Sequence, residues 1–412
     1  MRANRKLWSI VYLRLTLVIF LTVIIADAFS GELHNAIHDR DVPKIRALLE
    51  KGLDVNEQES VWGLSPLGSA ACEGQQDIAE WLIARGADLN ARDHVGRIAL
   101  HCAIMYGHRD FAMWLIGKGS EVNVKGYEGD TPLHLAVQYT ENAKLNRMLL
   151  DKGANVNERN DHKQTSLHKA IQPGNAAIAQ LLIDYGADVN ALDGLGHSPL
   201  SYAFLYDQPD KEIIDLLLRH GANPNSVMRG VCTPIHEAAK NGHREIVVLL
   251  ISYHADIHCK CNGIPLLHSA AGDQSLLEVL YAKGLDISEK DEFGRIILHA
   301  AAEQGLTVNT LEWLMERGLD INVKDSSGMT PLHIAAQQGN ILSAKLLIAK
   351  GADVNIQDLG GMTPLHYAIN EEHPNTAELL VNAGADARIK DNEGSSALDI
   401  APQELKIMID NN

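Results

Sequence analysis

The side chains best suited to chemistry in this 412-residue chain are its 19 histidines and five cysteines. Imidazole and thiolate groups bind zinc or copper, and both can act in catalysis. They are densest where the sequence reads H-A-D-I-H-C-K-C, which contains His254, His258, Cys259 and Cys261. These four residues are candidate metal ligands, so a metal-binding protein or metal-dependent enzyme is one alternative function.

Other catalytic patterns fail on inspection of the sequence. His236-Glu237 begins the zinc-protease motif H-E-x-x-H, but the fifth residue is Lys240. The sequence contains neither a Walker phosphate-binding loop nor a G-x-S-x-G nucleophile motif. We therefore predict a protein that is not an enzyme and that needs no cofactor.

Eight of the 19 histidines occupy one position of a recurring phrase. Complete copies read Thr-Pro-Leu-His and end at His134, His333 and His366. A second phrase, Gly-Ala-Asp-Val-Asn in its fullest form, occurs in eleven full or looser copies that begin 30 to 35 residues apart. The chain is thus built from a repeated unit of about 33 residues. The histidines that occupy the repeated position are His101, His134, His168, His236, His268, His299, His333 and His366.

Period and phrase together resemble the ankyrin repeat, whose T-P-L-H-x-A pattern recurs every 33 residues. The resemblance extends from Gly31 to Asn412. It implies an all-α solenoid of helix-turn-helix units with protruding hairpin loops, stabilised by stacking of neighbouring units. It also implies that the motif imidazole hydrogen-bonds to the backbone and to the motif threonine. His254 and His258 then replace the usual Gly and Asn of the turn, which weakens their interpretation as metal ligands.

Local chemistry agrees with this unit. Thr330 can cap the first helix, and Pro331 suits the first helical turn, where its missing N–H costs nothing. Ile178, Leu181 and Leu182 recur at the spacing of one helix face. The glycine that opens each Gly-Ala-Asp-Val-Asn phrase, for example Gly351, is expected to end the second helix in the left-handed conformation.

The expected domain organisation has four parts. Residues 1–28 form a signal peptide, 29–58 an N-terminal capping repeat, 59–391 an array of about ten repeats, and 392–412 a C-terminal capping partial repeat. The N-terminal cap resembles a repeat without its front phrase. The residues expected to make its outer face polar are His34, His38, Asp39, Arg40 and Asp41.

The first 28 residues differ from all the others. Arg2, Arg5 and Lys6 precede an apolar run from Leu15 to Ile25, and Ala26-Asp27-Ala28 follows it. This order is typical of a secretory signal cleaved after Ala28. The eleven-residue run is too short to span a bilayer core of ~30 Å. We therefore expect a secreted or periplasmic protein, with a membrane-anchored scaffold as the alternative.

Charge and cysteine content narrow the functional classes further. A formal charge of −17 argues against nucleic acid as the partner, because phosphate binding requires a basic surface. The five cysteines, Cys72 and Cys102 among them, are too few for a disulfide framework in a chain of this length, and their odd number leaves at least one unpaired within the molecule. We expect the Cys102 side chain to pack in the core and the fold to be stable without disulfides.

Aromatic residues mark the expected binding surface. Members of the resembled family bind partners through their loops and first helices, and Tyr106, Tyr139 and Tyr206 share one first-helix position. Tyrosine and tryptophan anchor many protein interfaces. We therefore predict a non-catalytic, monomeric protein-protein interaction scaffold, although the tyrosines could instead only cover apolar neighbours. Candidate partner-binding residues at the loop tips are Trp62, Tyr127 and Phe293.

Overall fold

The computed structural model describes residues 31–140, 142–172, 174–205, 208–228, 232–304, 308–403 and 406. The expected signal peptide and Tyr206 lie outside these residues. The described chain falls into two compact units. The first comprises residues up to Ala203 with Arg219–Gly221, and the second comprises Phe204–Leu218 and the residues from Ala222 onward.

The first unit is a stack of helix pairs. Its helices are α1 Glu32–His38, α2 Val42–Glu50, α3 Pro66–Cys72, α4 Gln76–Ala84, α5 Ala99–Met105, α6 Arg109–Gly117, α7 Pro132–Tyr139, α8 Ala143–Asp151, α9 Ser166–Ile171, α10 Ala176–Asp184 and α11 Pro199–Tyr202. A 3₁₀ turn, Tyr127–Gly129, precedes α7. First helices pack against first helices, and second helices against second helices, as the all-α repeat architecture requires.

The second unit follows the same plan. Its helices are α12 Lys211–Arg219, whose last residue belongs to the first unit, then α13 Pro234–Lys240, α14 Arg244–Ser252, α15 Leu266–Ser269, α16 Gln274–Ala282, α17 Ile297–Gln304, α18 Val308–Met315, α19 Pro331–Gln337, α20 Ile341–Ala349, α21 Pro364–Asn370, α22 Pro374–Asn382 and α23 Ala397–Ile400. Strands β1 Lys260–Cys261 and β2 Ile264–Pro265 form an antiparallel hairpin before α15.

Apolar spacing explains the second helices. In α10, Ile178, Leu181 and Leu182 are buried against neighbouring helices, as the sequence predicts. Helix α10 ends at Asp184, and Gly186 two residues later has a φ of 84°, the left-handed conformation that glycine adopts readily. His254 takes the same conformation at the end of α14, with φ 63°. The helix-end assignment of the recurring phrase is thereby confirmed.

The protruding loops differ in detail from the expected hairpins. Across the described residues, β1 and β2 are the only paired strands, with isolated bridges at Met228–Cys232 and Lys390–Ser396. Most other loops are closed by an aspartate. In one example, Asp291 Oδ1 accepts hydrogen bonds from the backbone N–H groups of Phe293 and Arg295, both at 2.9 Å. A carboxylate that holds the turn removes the need for a strand ladder.

The prediction for His34 was wrong. This residue is buried, and its Nε2 lies 2.8 Å from the carbonyl oxygen of Leu64. The partner is 30 residues away, the same separation as between His134 and its carbonyl partner Gln164. His34 is therefore the motif histidine of a repeat that begins at α1, whereas His38, Asp39, Arg40 and Asp41 are exposed.

None of the helices described from residue 31 onward is long and apolar enough to cross a membrane.

Candidate partner-binding surface

Motif histidines fasten each first helix to the next repeat. His134 Nδ1 accepts a hydrogen bond from the Thr131 backbone N–H at 3.3 Å and lies 2.8 Å from Thr131 Oγ1. Its Nε2 lies 3.1 Å from the Gln164 carbonyl oxygen, so Nε2 carries the proton of a neutral ring. Burial keeps the ring neutral by lowering the pKa of His134. The hydrogen bonds expected of this histidine are present.

The asparagine of the second phrase joins neighbouring repeats in the turn. Asn157 Nδ2 donates to the Gly186 carbonyl at 2.9 Å, and its Oδ1 accepts from the Asp188 backbone N–H at 2.8 Å. One amide side chain thus satisfies an acceptor at the end of α10 and a donor in the following turn. Such bonds set the register in which successive turns stack.

Loop tips are aligned by backbone hydrogen bonds. The His94 N–H donates to the Trp62 carbonyl at 2.8 Å, and the Ser326 N–H donates to the Phe293 carbonyl at 2.9 Å. Because the tips are fixed through the backbone, their side chains remain free to point outward. Tyr127 and Phe293 are 60% and 54% exposed, whereas Trp62 is half-buried.

Two of the three predicted tyrosines lie at the ends of neighbouring first helices. Tyr106 follows α5, Tyr139 ends α7, and their exposed fractions are 42% and 38%. Partial burial raises the pKa of Tyr106 to about 12, so its hydroxyl stays protonated. The structure places both at the same position of consecutive repeats, as the sequence alignment implied. Tyr206 lies outside the described residues.

A groove adjoins Tyr139 in the first unit. Its volume is about 610 Å³, and Arg109, Gln138, Thr140 and Asn175 contribute to its lining. Arg109 is the first residue of α6, whereas Tyr139 is the last of α7. The groove therefore combines an aromatic ring, a cation and amide groups, which are common components of protein interfaces. Single-repeat alignment did not find Arg109, because it comes from a different position of the repeat.

Exposed leucines also occur at loop tips. Leu195 is 80% exposed in the first unit, and Leu359 is 72% exposed in the second. Their surroundings are polar turns, and neither leucine is needed to close its loop. Leu359 was missed by sequence reasoning, although it lies in the same segment of its repeat as Phe293. The signal was present in the alignment of the loops.

The structure does not assemble the candidate metal ligands. Cys261 is bonded to Cys232 in a disulfide, so it offers no thiolate. His254 and His258 are exposed, and Cys259 faces Thr233 and His236. Within the described ranges, no three metal-binding side chains converge on a common point.

A single disulfide joins Cys232 to Cys261 and the other three cysteines are free, so there is no disulfide framework, and stability of the fold without bridges stays a prediction. Cys232 and Cys261 are 29 residues apart, close to one repeat, which brings equivalent loops of neighbouring units together. Repeat spacing was therefore the available signal. Cys102 is fully buried as predicted, and Cys72 of the preceding repeat is half-buried.

Family models for ankyrin repeats match nearly the whole described chain. The model for three repeat copies matches residues 27–93, 91–160, 148–228, 208–291 and 266–358, and a second ankyrin model matches 347–401. Successive matches overlap, as expected for a continuous array.

Curated relatives agree with the family models. They include the ankyrin repeat protein nuc-2 of Neurospora crassa, 31% identical over 69% of this chain and 24% of its own length. Another is the human transient receptor potential cation channel subfamily A member 1, 25% identical over 62% of this chain and 27% of its own. The mouse B-cell lymphoma 3 protein homologue is 34% identical over 30% of this chain and 28% of its own. This chain thus spans about a quarter of each relative, and it belongs to the ankyrin repeat family.

Proposed function

We propose that this ankyrin repeat chain, as a protein-interaction scaffold, binds its partner outside the cytoplasm through the first-helix ends and loop tips. The observation that carries the proposal is the pair Tyr106 and Tyr139, both partly exposed on consecutive repeats. Tyrosine gives a large contact area for little loss of side-chain entropy. The groove beside Tyr139 adds an open recess that a partner's side chain can occupy.

The loop tips support the same surface. Exposed Tyr127 and Leu195 belong to the first unit, and exposed Phe293 and Leu359 belong to the second. Apolar side chains that are not needed for folding favour a role in contact with another molecule. Each unit therefore offers its own apolar contacts, and the tyrosine pair is confined to the first.

Recognition is tested by removing the tyrosines. The partner is first identified by crosslinking in the native compartment, and its affinity is then measured for a variant with Tyr106, Tyr139 and Tyr206 all changed to Ala. Loss of central interface aromatics costs ~2 kcal/mol or more, so we expect affinity to fall about thirtyfold or more. Thermal stability should change little, because the rings of Tyr106 and Tyr139 are partly exposed.

Tyr185→Ala is the matched control. Tyr185 is 36% exposed but follows a second helix, so its loss should leave the affinity unchanged. Unchanged affinity in the triple variant, together with a large loss of thermal stability, would show that the tyrosines pack the fold and that the binding surface lies elsewhere.

Location is tested separately at the N-terminus. The basic start, short apolar run and Ala26-Asp27-Ala28 favour export with cleavage after Ala28. N-terminal sequencing of the mature protein should find Phe29 or a near neighbour. Recovery of a chain starting at Met1 from carbonate-washed membranes would instead support an anchored scaffold.

A further inference from the structure

Three of the five cysteines lie in two neighbouring loops of the second unit. Cys232 closes one loop by a backbone bridge to Met228, and Cys261 ends strand β1 in the next. The third, Cys259, lies two residues before Cys261. All three are half-buried, so none is sealed from solvent. No binding motif or repeat position requires this grouping.

The tight hairpin determines how the cysteines are presented. Asn262 and Gly263 form its turn with φ values of 50° and 73°, the conformation of a two-residue hairpin loop. Cys261 pairs with Ile264 across this hairpin, and its Sγ bonds to Cys232. Alternate residues of an extended chain face the same side. The side chains of Cys259 and Cys261 can therefore both reach the same neighbouring loop.

Contacts of Cys259 place its sulfur beside the loop of Cys232. Cys259 Sγ lies 3.4 Å from Oγ1 of Thr233, the residue that follows Cys232. It also lies 3.7 Å from His236 Nδ1 and donates to the Asp256 carbonyl at 2.9 Å. A free thiol thus lies beside the residue that follows one half of a disulfide. Thiol–disulfide exchange requires a thiol that can reach a disulfide sulfur from such a position.

We infer that Cys232, Cys259 and Cys261 form a thiol–disulfide exchange site in which the cross-link moves between two pairings. In the exchange, Cys259 loses its proton to solvent and its thiolate attacks Cys232 Sγ. A Cys259–Cys232 bond forms, the Cys232–Cys261 bond breaks, and Cys261 leaves as a thiolate that takes up a proton. One disulfide and one thiol are present before and after the step, so it needs no oxidant or reductant.

The exchange changes the geometry of the loops. Moving the bond from Cys261 to Cys259 shifts the attachment point by two residues, or about 6–7 Å along an extended chain. The two pairings therefore hold the neighbouring loops in different relative positions. Burial, reinforced by the nearby Asp256 carboxylate, raises the pKa of Cys259, so this thiol is mostly protonated at neutral pH. Exchange should consequently be slow at neutral pH and should become faster as pH rises.

The test maps disulfides in the full chain. Wild type and Cys261→Ser are incubated in a reduced and oxidised glutathione buffer, quenched with acid, alkylated and analysed as peptides by mass spectrometry. Wild type should show mainly Cys232–Cys261, with a minor Cys232–Cys259 form. In Cys261→Ser, Cys232–Cys259 should become the main intramolecular disulfide.

Cys72→Ser is the matched control, because Cys72 is a half-buried cysteine of the first unit. It should leave both wild-type pairings in the same ratio. Circular dichroism of each variant establishes that the repeats remain folded. The proposal is overturned if Cys232 stays fully alkylatable in folded Cys261→Ser, or if wild type never yields a Cys232–Cys259 peptide.

Discussion

At the scale of single residues, the repeat uses chemistry that only a few residue types can supply. The motif histidine accepts at Nδ1 and donates at Nε2, so one neutral ring bonds to its own helix start and to the next loop. His333 does both, with Thr330 N–H at 3.0 Å and the Met362 carbonyl at 3.1 Å. Serine replaces histidine at Ser201, where Ser198 instead caps α11 through its own hydroxyl at 3.3 Å.

Replacement of Gly351 by valine should destabilise the second unit. Gly351 has a φ of 95°, and a Cβ added there would meet no atom within 4 Å, so the cost arises from the backbone conformation alone. A β-branched residue in this left-handed conformation should lower the free energy of unfolding by about 1–2 kcal/mol. The measurement is the urea midpoint of unfolding.

Gly117→Ala should have the opposite effect on stability. Gly117 ends α6 without a positive φ, and a Cβ there would also meet nothing within 4 Å. Alanine should raise stability by up to ~1 kcal/mol, because it loses less backbone entropy in a helix. If both substitutions had the same effect on the midpoint, backbone handedness would not be the cause.

Residue-level patterns were also the most predictable part of the molecule. Thr-Pro-Leu-His identified the helix starts, and the recurring glycines identified the helix ends, because these residues satisfy local backbone demands. The role of His34 could not be predicted, because the Thr-Pro-Leu-His phrase is absent around it. Only its contact with Leu64 reveals that role. The Cys232–Cys261 bond was not predicted, because it depends on how two loops stack.

At the scale of elements, neighbouring repeats are joined by a few buried polar bonds in addition to apolar packing. The strongest example joins α9 to the segment before α7. Lys169 Nζ lies 2.6 Å from Asp130 Oδ2, with side-chain exposures of only 10% and 8%, and 2.8 Å from Gln138 Oε1. Asn160 Nδ2 donates to the other oxygen of Asp130 at 2.9 Å.

Lys169→Met should therefore destabilise the first unit strongly. Asp130 would keep only its amide partner and would remain a buried charge without its cation, which costs about 3 kcal/mol or more. Adding Asp130→Asn should recover much of the loss, because the charge is removed with its partner. Chemical denaturation of both variants measures this difference.

Asp77→Asn removes an exposed ion pair and serves as the comparison for Lys169→Met. Arg40 and Asp77 lie 2.9 Å apart, but their side chains are 61% and 59% exposed, so water screens the pair. Its loss should change stability by less than ~1 kcal/mol. A loss as large as that for Lys169→Met would mean that burial does not determine the strength of these ion pairs.

Loop elements were less predictable than helices. The sequence suggests hairpins, yet most loops are closed by an aspartate such as Asp291, and the strand hairpin occurs where Asn262-Gly263 replaces that arrangement. Both solutions reverse the chain within a few residues, so composition alone does not separate them. The groove beside Tyr139 was unpredictable for another reason, since it combines residues from different repeat positions.

At the scale of the whole molecule, the repeated histidine gives a collective response to acid. Burial lowers the pKa of His101, His236 and His333 to about 4. It also lowers the pKa of five further histidines distributed over both units, which are His34, His134, His168, His268 and His299. In the unfolded chain each titrates near 6.5, so between pH 6.5 and 4 the unfolded state binds more protons than the folded state.

Stability should consequently fall as pH drops below 6.5 and should depend little on these groups above it. A histidine with a folded pKa of about 4 lowers the free energy of unfolding by roughly 2 kcal/mol between pH 6.5 and 5. The contributions of several such residues add up. We expect a clearly lower urea midpoint at pH 5 than at pH 7. His333→Asn keeps an acceptor near Thr330 but cannot titrate, so its midpoint should fall less between these pH values. Equal midpoints at both pH values in the wild-type chain would contradict the linkage, because they would mean that the buried rings accept protons as readily as exposed ones.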